Sequence, residues 1–219
     1  MKTLVSALAL LAGLAAVATA QVLPGMPQPA PLETKLGLRA YVGAFAPVLP
    51  LVAAPADYIY ASVELESGSA VGFEFDYALG GSLRAYLGIA HARSRVNHSS
   101  LMVIQGPFRE ESPVGLFAPT LGLIIAPRLG SHDVRPTLRL GGGVKFYDFD
   151  LVEVTGGVQD PTADLGVGLM AGTHPVAFTA EARWLLSQFD PAYLPVRVIG
   201  AKKQLQDDLV FQLGLRFGW

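Results

Sequence analysis

The sequence predicts an all-β fold, a closed antiparallel up-and-down transmembrane β-barrel of about eight strands. Three observations point there. First, 51% of the 219 residues are hydrophobic and only 16% are charged, against roughly 25% charged in soluble domains. The mean hydropathy is +0.41. Second, after the first twenty residues no run of about 18 residues is free of charges and turn formers, so no further membrane helix is available. Third, the dominant periodicity beyond Lys35 is two, which is the mark of strands with unlike faces. Lipid offers no hydrogen bonds to the backbone, and a closed barrel is the remaining structure that satisfies every backbone group there.

The amino terminus has the layout of an export signal. Lys2 supplies the positive charge, Leu4 to Val17 the apolar stretch, and Ala18-Thr19-Ala20 a small-residue cleavage site before Gln21. Residues 1–20 are therefore expected to be a cleaved signal peptide. Residues 21–34, with Pro24, Pro27, Pro29 and Pro31, read as an irregular periplasmic lead-in. The barrel is expected over 35–219.

Alternation is clearest in the last segment. Leu209, Phe211, Leu213, Leu215, Phe217 and Trp219 share one face, and Val210, Gln212, Gly214, Arg216 and Gly218 the other. Phe178 to Trp184, Leu138 to Phe146 and Val71 to Tyr77 repeat the pattern, and weaker versions occupy 35–45, 83–94, 114–126 and 162–172. Pro119, inside one of these, argues against a regular strand unless a bulge absorbs it. Connections alternate between short (Gly80-Gly81, Gly130 to Arg135, Thr173 to Pro175) and long (46–69, 95–113, 148–161, 187–207). Short periplasmic turns and long external loops produce that rhythm, with both termini periplasmic. Lipid-facing aromatics fall in two groups: Phe117, Phe146, Trp184 and Phe211 toward the external ends, Tyr77, Phe178, Phe217 and Trp219 toward the periplasmic ends. Rings of this kind belong at the two membrane interfaces.

The ending Gln212-Leu213-Gly214-Leu215-Arg216-Phe217-Gly218-Trp219 resembles the terminal assembly signal of outer-membrane proteins. Gln212, Gly214, Phe217 and Trp219 stand at its signature positions. The resemblance implies recognition by the barrel-assembly machinery and residence in the outer membrane of a diderm bacterium, among its lipids. From Lys35 onward the chain resembles the small eight-stranded barrels of the OmpA-like and OmpW-like groups. No peptidoglycan-binding domain is expected after the last strand, where full-length OmpA-like proteins carry one.

An eight-stranded barrel is just wide enough for side chains to fill it. Arg39, Arg84, Arg139, Lys145, Arg183 and Arg216 fall on the inward face, with Glu74, Asp76, Asp164 and Glu181 among them. Charges in so narrow a lumen need partners, so this mixture predicts a paired plug rather than an aqueous pore. Inward glycines such as Gly72, Gly141 and Gly143 leave room for the long side chains. Gly141-Gly142-Gly143 has no lysine and no following helix, so it reads as strand rather than phosphate cradle.

Other chemistry is thinly represented. Cysteine is absent and net charge is −2, which excludes thiol chemistry, cysteine–zinc sites and a lipoprotein anchor and gives nucleic acid no basic run to bind. No cofactor is expected. His91 and Ser94, with His98, Ser99 and Ser100 beyond them, raise the alternative of a lipid A deacylase-like enzyme, but a nucleophile needs its base within hydrogen-bond reach. His132 and His174 lack ligand spacing, and Asp148 with Asp150 suits at most a weak hard cation. A soluble lipocalin-like carrier would need its apolar faces turned inward. The apolar run Pro47-Val48-Leu49-Pro50-Leu51-Val52-Ala53-Ala54-Pro55 is unusual for a loop in water. It has several readings: folding into the barrel mouth, touching lipid or a surface partner as an adhesion barrel would, lining an entrance for small hydrophobic solutes, or simply packing on its neighbours as a Pro-rich brace. The expected role is accordingly a non-enzymatic envelope barrel, structural or admitting such solutes.

Overall fold

The computed structural model describes residues 35–51, 61–100, 112–127, 134–149, 158–173, 175–190 and 203–219. The expected signal peptide and Pro-rich lead-in lie outside these residues. The strands are β1 (Leu36–Pro47), β2 (Ala61–Leu65), β3 (Gly68–Gly80), β4 (Leu83–Ser100), β5 (Ser112–Ile125), β6 (Val134–Phe149), β7 (Val158–Thr173), β8 (Val176–Phe189) and β9 (Gln204–Gly218). Each pairs antiparallel with its neighbours, β4 with β5 and β1 with β9 included, so the sheet closes on itself. Eight strands form the barrel wall. The ninth, β2, prolongs β3 along the far part of β4, from Ala61 opposite Ser100 to Leu65 opposite Val96. Each of the eight alternating segments of the sequence is one wall strand.

The seam is long and in register, from Gly37 opposite Gly218 to Pro47 opposite Asp208. Both chain ends of the barrel therefore lie at one end, which also carries the short connections; it is called the turn end here, and the opposite one the loop end. Gly80 and Gly81 have φ of 140° and 55°, backbone that L side chains rarely adopt, so the β3–β4 turn requires glycine there.

Pro119 needs no bulge. Ile89 of β4 faces it within an unbroken register. On the other side, pairing with β6 lapses at Ala118 and Pro119 and resumes at Thr120 opposite Gly143 without a shift. The ladder skips the missing N–H locally, because strong pairing on both sides of it holds the strand in place.

The faces sort as alternation requires. Val42, Phe73, Phe75, Leu121, Leu140, Phe178, Leu213 and Trp219 are exposed on the outside, while Arg39, Glu74, Asp164, Glu181 and Arg183 are buried inside. Water would not tolerate a surface so apolar, and lipid does. A soluble carrier would show the reverse arrangement. Of the aromatics assigned to the outer face, Phe178 is 68% exposed and Phe117 stacks obliquely on Phe146 at 6.2 Å.

Candidate functional site: the filled lumen

The lumen is built in two tiers. The tier toward the turn end holds the charges. Arg139 bridges the carboxylates of Glu74 (Nη2 to Oε2, 2.5 Å) and Glu181 (Nε to Oε1, 2.5 Å). Arg39 engages the same two, at 3.2 Å and 2.5 Å. Gln212 donates to Glu181 at 2.7 Å. Beside them Arg183 grips Asp164 with two bonds of 2.9 and 2.7 Å and donates to Tyr41 and Thr120. Tyr86 donates to Asp164 at 2.6 Å, its ring lying under the Arg139 guanidinium at 4.2 Å. Nearest the turns, Arg216 holds Asp76 in a fork of 2.8 and 2.9 Å, and Arg84 pairs with the same carboxylate. Arginine suits this role, since its planar fork meets a carboxylate with two parallel bonds.

This arrangement depends on missing side chains. The Tyr41 hydroxyl sits over Gly72 and the Tyr86 hydroxyl over Gly141, where any Cβ would collide. The space left among the charges is a cavity of about 20 Å³, room for one water. Nine of the ten charged residues assigned to the lumen meet here; the tenth, Lys145, belongs to the other tier.

The tier toward the loop end is largely apolar, so the paired plug of charges occupies one part of the lumen rather than all of it. Phe45, Leu65, Val96, Val114, Leu116, Tyr147, Leu185, Phe189 and Val210 form one buried cluster with Tyr41 and several alanines. Leu51, from the apolar run after β1, belongs to it at 0% exposure. Among the described residues of that run only Leu51 is buried, while Val48 and Leu49 stay exposed, so the run turns one side chain into the barrel mouth; Val52 to Pro55 lie outside the described residues. Tyr147 meets Phe189 edge-on at 5.2 Å.

One wall of this tier, on β6 to β9, remains polar. Lys145 pairs with Asp208 across the lumen. Gln206 donates from Nε2 to Asp208 Oδ1 and to the carbonyl of Leu49, both at 3.0 Å. Asp160 is a cross-strand neighbour of Lys145 and is buried. Sequence reasoning did not reach Asp160, Gln206 or Asp208. They lie on strand extensions past 162 and 209, where its segments began, although their parity with Asp164 and Gln212 already marked them as inward.

The terminal motif divides between the faces. Gln212 and Gly214 point inward, while Phe217 and Trp219 are exposed outside at 44% and 59%. All four lie on β9, the closing strand of the seam.

The catalytic alternative loses its geometry at one point. His91 and Ser94 are an odd number of residues apart, so β4 turns them to opposite faces. Ser94 is buried and donates to the carbonyl of Glu66 at 2.5 Å. The side chains of His98, Ser99 and Ser100, and His132, His174 and Asp150, lie outside the described residues. Asp148 is exposed on the outer face, and no metal-binding group occurs among the described residues.

No family model matches the chain, and no curated protein matches its sequence. Solved structures do. OprG, an outer-membrane protein from Pseudomonas aeruginosa, aligns with 86% of this chain and 97% of its own at 16% identity, TM-score 0.57. The Neisserial surface protein A crystal structure covers 85% of this chain and 98% of its own at 14% identity, TM-score 0.53. AlkL, solved by solid-state NMR in DMPC bilayers, covers 90% and 97% at 14% identity, TM-score 0.52. The chain has the fold of the small outer-membrane barrels. At such identities that likeness concerns the fold alone, and function has to be argued from the lumen.

Proposed function

We propose that the protein is a non-enzymatic outer-membrane barrel whose loop-end tier receives small hydrophobic solutes and releases them sideways into lipid. The observation that carries this is the order of the tiers: a buried apolar cluster, which becomes a chamber when Leu51 withdraws, over a charged floor whose residual cavity is about 20 Å³. Ions gain nothing from the chamber, and solutes do not pass the floor. An apolar molecule gains roughly 25 cal/mol for each Å² it removes from water. In this reading the loop end faces outward, the termini are periplasmic, and the chain reaches the membrane after loss of residues 1–20.

Uptake into vesicles tests the role. A variant with serine at Leu49, Leu51 and Val52 should change hydrophobic-solute uptake relative to wild type; equal uptake in wild-type and protein-free vesicles would leave only a structural or adhesive role. A deacylated lipid A product would restore the enzymatic alternative. Assembly is tested separately. Aspartate at Phe217 and Trp219 should abolish the heat-modifiable gel migration of the folded barrel, because it removes both the signal for the assembly machinery and the apolar outer surface. Normal migration would refute that part.

A further inference from the structure

Leu51 and Leu49 show what the chamber holds. The Leu51 side chain fills apolar space, and two residues earlier a carbonyl oxygen receives the Gln206 amide at 3.0 Å. The segment thus presents a short alkyl group and a hydrogen-bond acceptor, held by one apolar wall and one polar wall. The polar wall has more to offer than the segment uses. Gln206 Oε1 and Asp160 Oδ2 are buried acceptors with no hydrogen-bond partner among the described residues, and buried acceptors left unpaired are costly. A ligand with an N–H beside its carbonyl would serve them. The charge of this wall also selects. Asp160, Asp207 and Asp208 surround Lys145, and Asp190 and Lys203 beyond them pair with each other, a negative excess that works against a carboxylate and favours a neutral head.

We infer that the loop-end chamber is a binding site for a neutral short-chain aliphatic amide, for which residues 49–51 are the built-in competitor. The alkyl chain takes the place of Leu51 among Phe45, Leu116, Leu185 and Val210. The amide carbonyl takes the place of the Leu49 carbonyl on Gln206 Nε2, and its N–H reaches Gln206 Oε1. This inference rests on the solute-receiving reading and narrows the class of solute. Pockets of this type bind through apolar area and use a few polar groups for selection.

The test is an NMR titration of the full barrel in nanodiscs, read at the methyl groups of Leu116, Leu185 and Val210. Hexanamide, heptane and hexanoate are compared against empty nanodiscs. Leu51→Ala should strengthen hexanamide binding, since removing an internal competitor raises the fraction of the competent state. In that background Gln206→Leu should weaken hexanamide about tenfold, the scale of one or two hydrogen bonds, and leave heptane unchanged. Gln206→Asn, which withdraws the amide but keeps it polar, should do the same if the leucine variant fails to fold. Equal binding of hexanamide and heptane by Leu51→Ala would overturn the amide inference and leave the hydrophobic chamber standing. Tighter binding of hexanoate would overturn the requirement for neutrality. Binding of none of the three, with Leu51 removed, would overturn both readings.

Discussion

Followed from the turn end upward, the inward side chains of β9 are Arg216, Gly214 and Gln212, then Val210, then Asp208 and Gln206. Those of β8 are Thr179, Glu181 and Arg183, then Leu185, Ser187 and Phe189. One barrel, with one strand pairing, fills its two halves by different means. Toward the turns, long cations and carboxylates span the lumen and glycines clear their path, beside a smaller apolar cluster of Ile124, Met170 and Ala177. Toward the loops, medium-sized apolar groups pack as in a soluble core, with polar groups on one wall. The difference lies in what each half can give up. Charges in the first half hold one another, and several carboxylates are shared between two arginines, so the loss of one group is felt by more than one partner. The apolar half includes a group, Leu51, that comes from outside the wall strands and can be exchanged for another of like chemistry.

The largest effect should come from breaking the charged half at its centre. Arg139→Met leaves Glu74 and Glu181 short of a cation in a buried setting, and removing one partner of a buried ionic group costs about 3–5 kcal/mol. Urea unfolding in vesicles, followed by tryptophan fluorescence and gel migration, measures it. A loss below about 1 kcal/mol would mean that water enters this half freely, and the distinction between the tiers would collapse.

Next in size is the contrast between the two surfaces of one strand. Leu140 faces outward and Gly141 inward under the Tyr86 hydroxyl. Arginine at Leu140 or Leu213 should cost about 2–4 kcal/mol near the bilayer midplane, visible as a lower urea midpoint in vesicles. Arginine at Gly141 should instead expel Tyr86 from its bond to Asp164. Tolerance of Leu140→Arg comparable to that of an exposed loop site would invert the faces.

The charged half was legible in the sequence and the apolar half was not, for one physical reason. Where Arg39, Glu74, Arg139 and Glu181 alternate with lipid-facing residues, the two faces differ in chemistry and period two stands out. Around Leu185 and Val210 both faces are apolar, so the alternation fades just where the lumen changes character. The strands also continue beyond the alternating stretches, which placed Asp160, Gln206 and Asp208 outside the segments that sequence reasoning drew. Pro119 misled in the opposite direction: its missing N–H argued against a regular strand without a bulge, and pairing on either side of it kept the register. As for Leu51, the apolar composition of its segment announced an unusual loop, but nothing local fixes the direction in which a loop folds. The bond from Gln206 to the Leu49 carbonyl is a long-range fact, between residues 157 positions apart.

The smallest effect sharpens the comparison most, because it concerns a charge pair in the apolar half. Lys145 and Asp208 are both buried, and the lysine ammonium also lies 5.0 Å from the Tyr147 ring centre. Lys145→Met alone should be costly, since it strands Asp208 in apolar surroundings beside Asp160. Replacing both, Lys145→Met with Asp208→Leu, in an Asp160→Asn background that spares Asp160 the loss of its lysine, should change stability by no more than about 1 kcal/mol, because desolvation of a buried pair commonly cancels its attraction and apolar isosteres pack as well. A double-mutant cycle in urea measures the pair directly. Near-neutrality would mean that this pair adds little to stability, and its remaining consequence would be local: Asp208 is one of the two acceptors of Gln206 Nε2, the other being the Leu49 carbonyl. The double variant should then loosen the hold on residues 49–51 with the barrel still folded, raising the maleimide reactivity of a cysteine placed at Leu51. A double variant that loses several kcal/mol would instead assign Lys145 and Asp208 to the same structural role as Arg139 and Glu181.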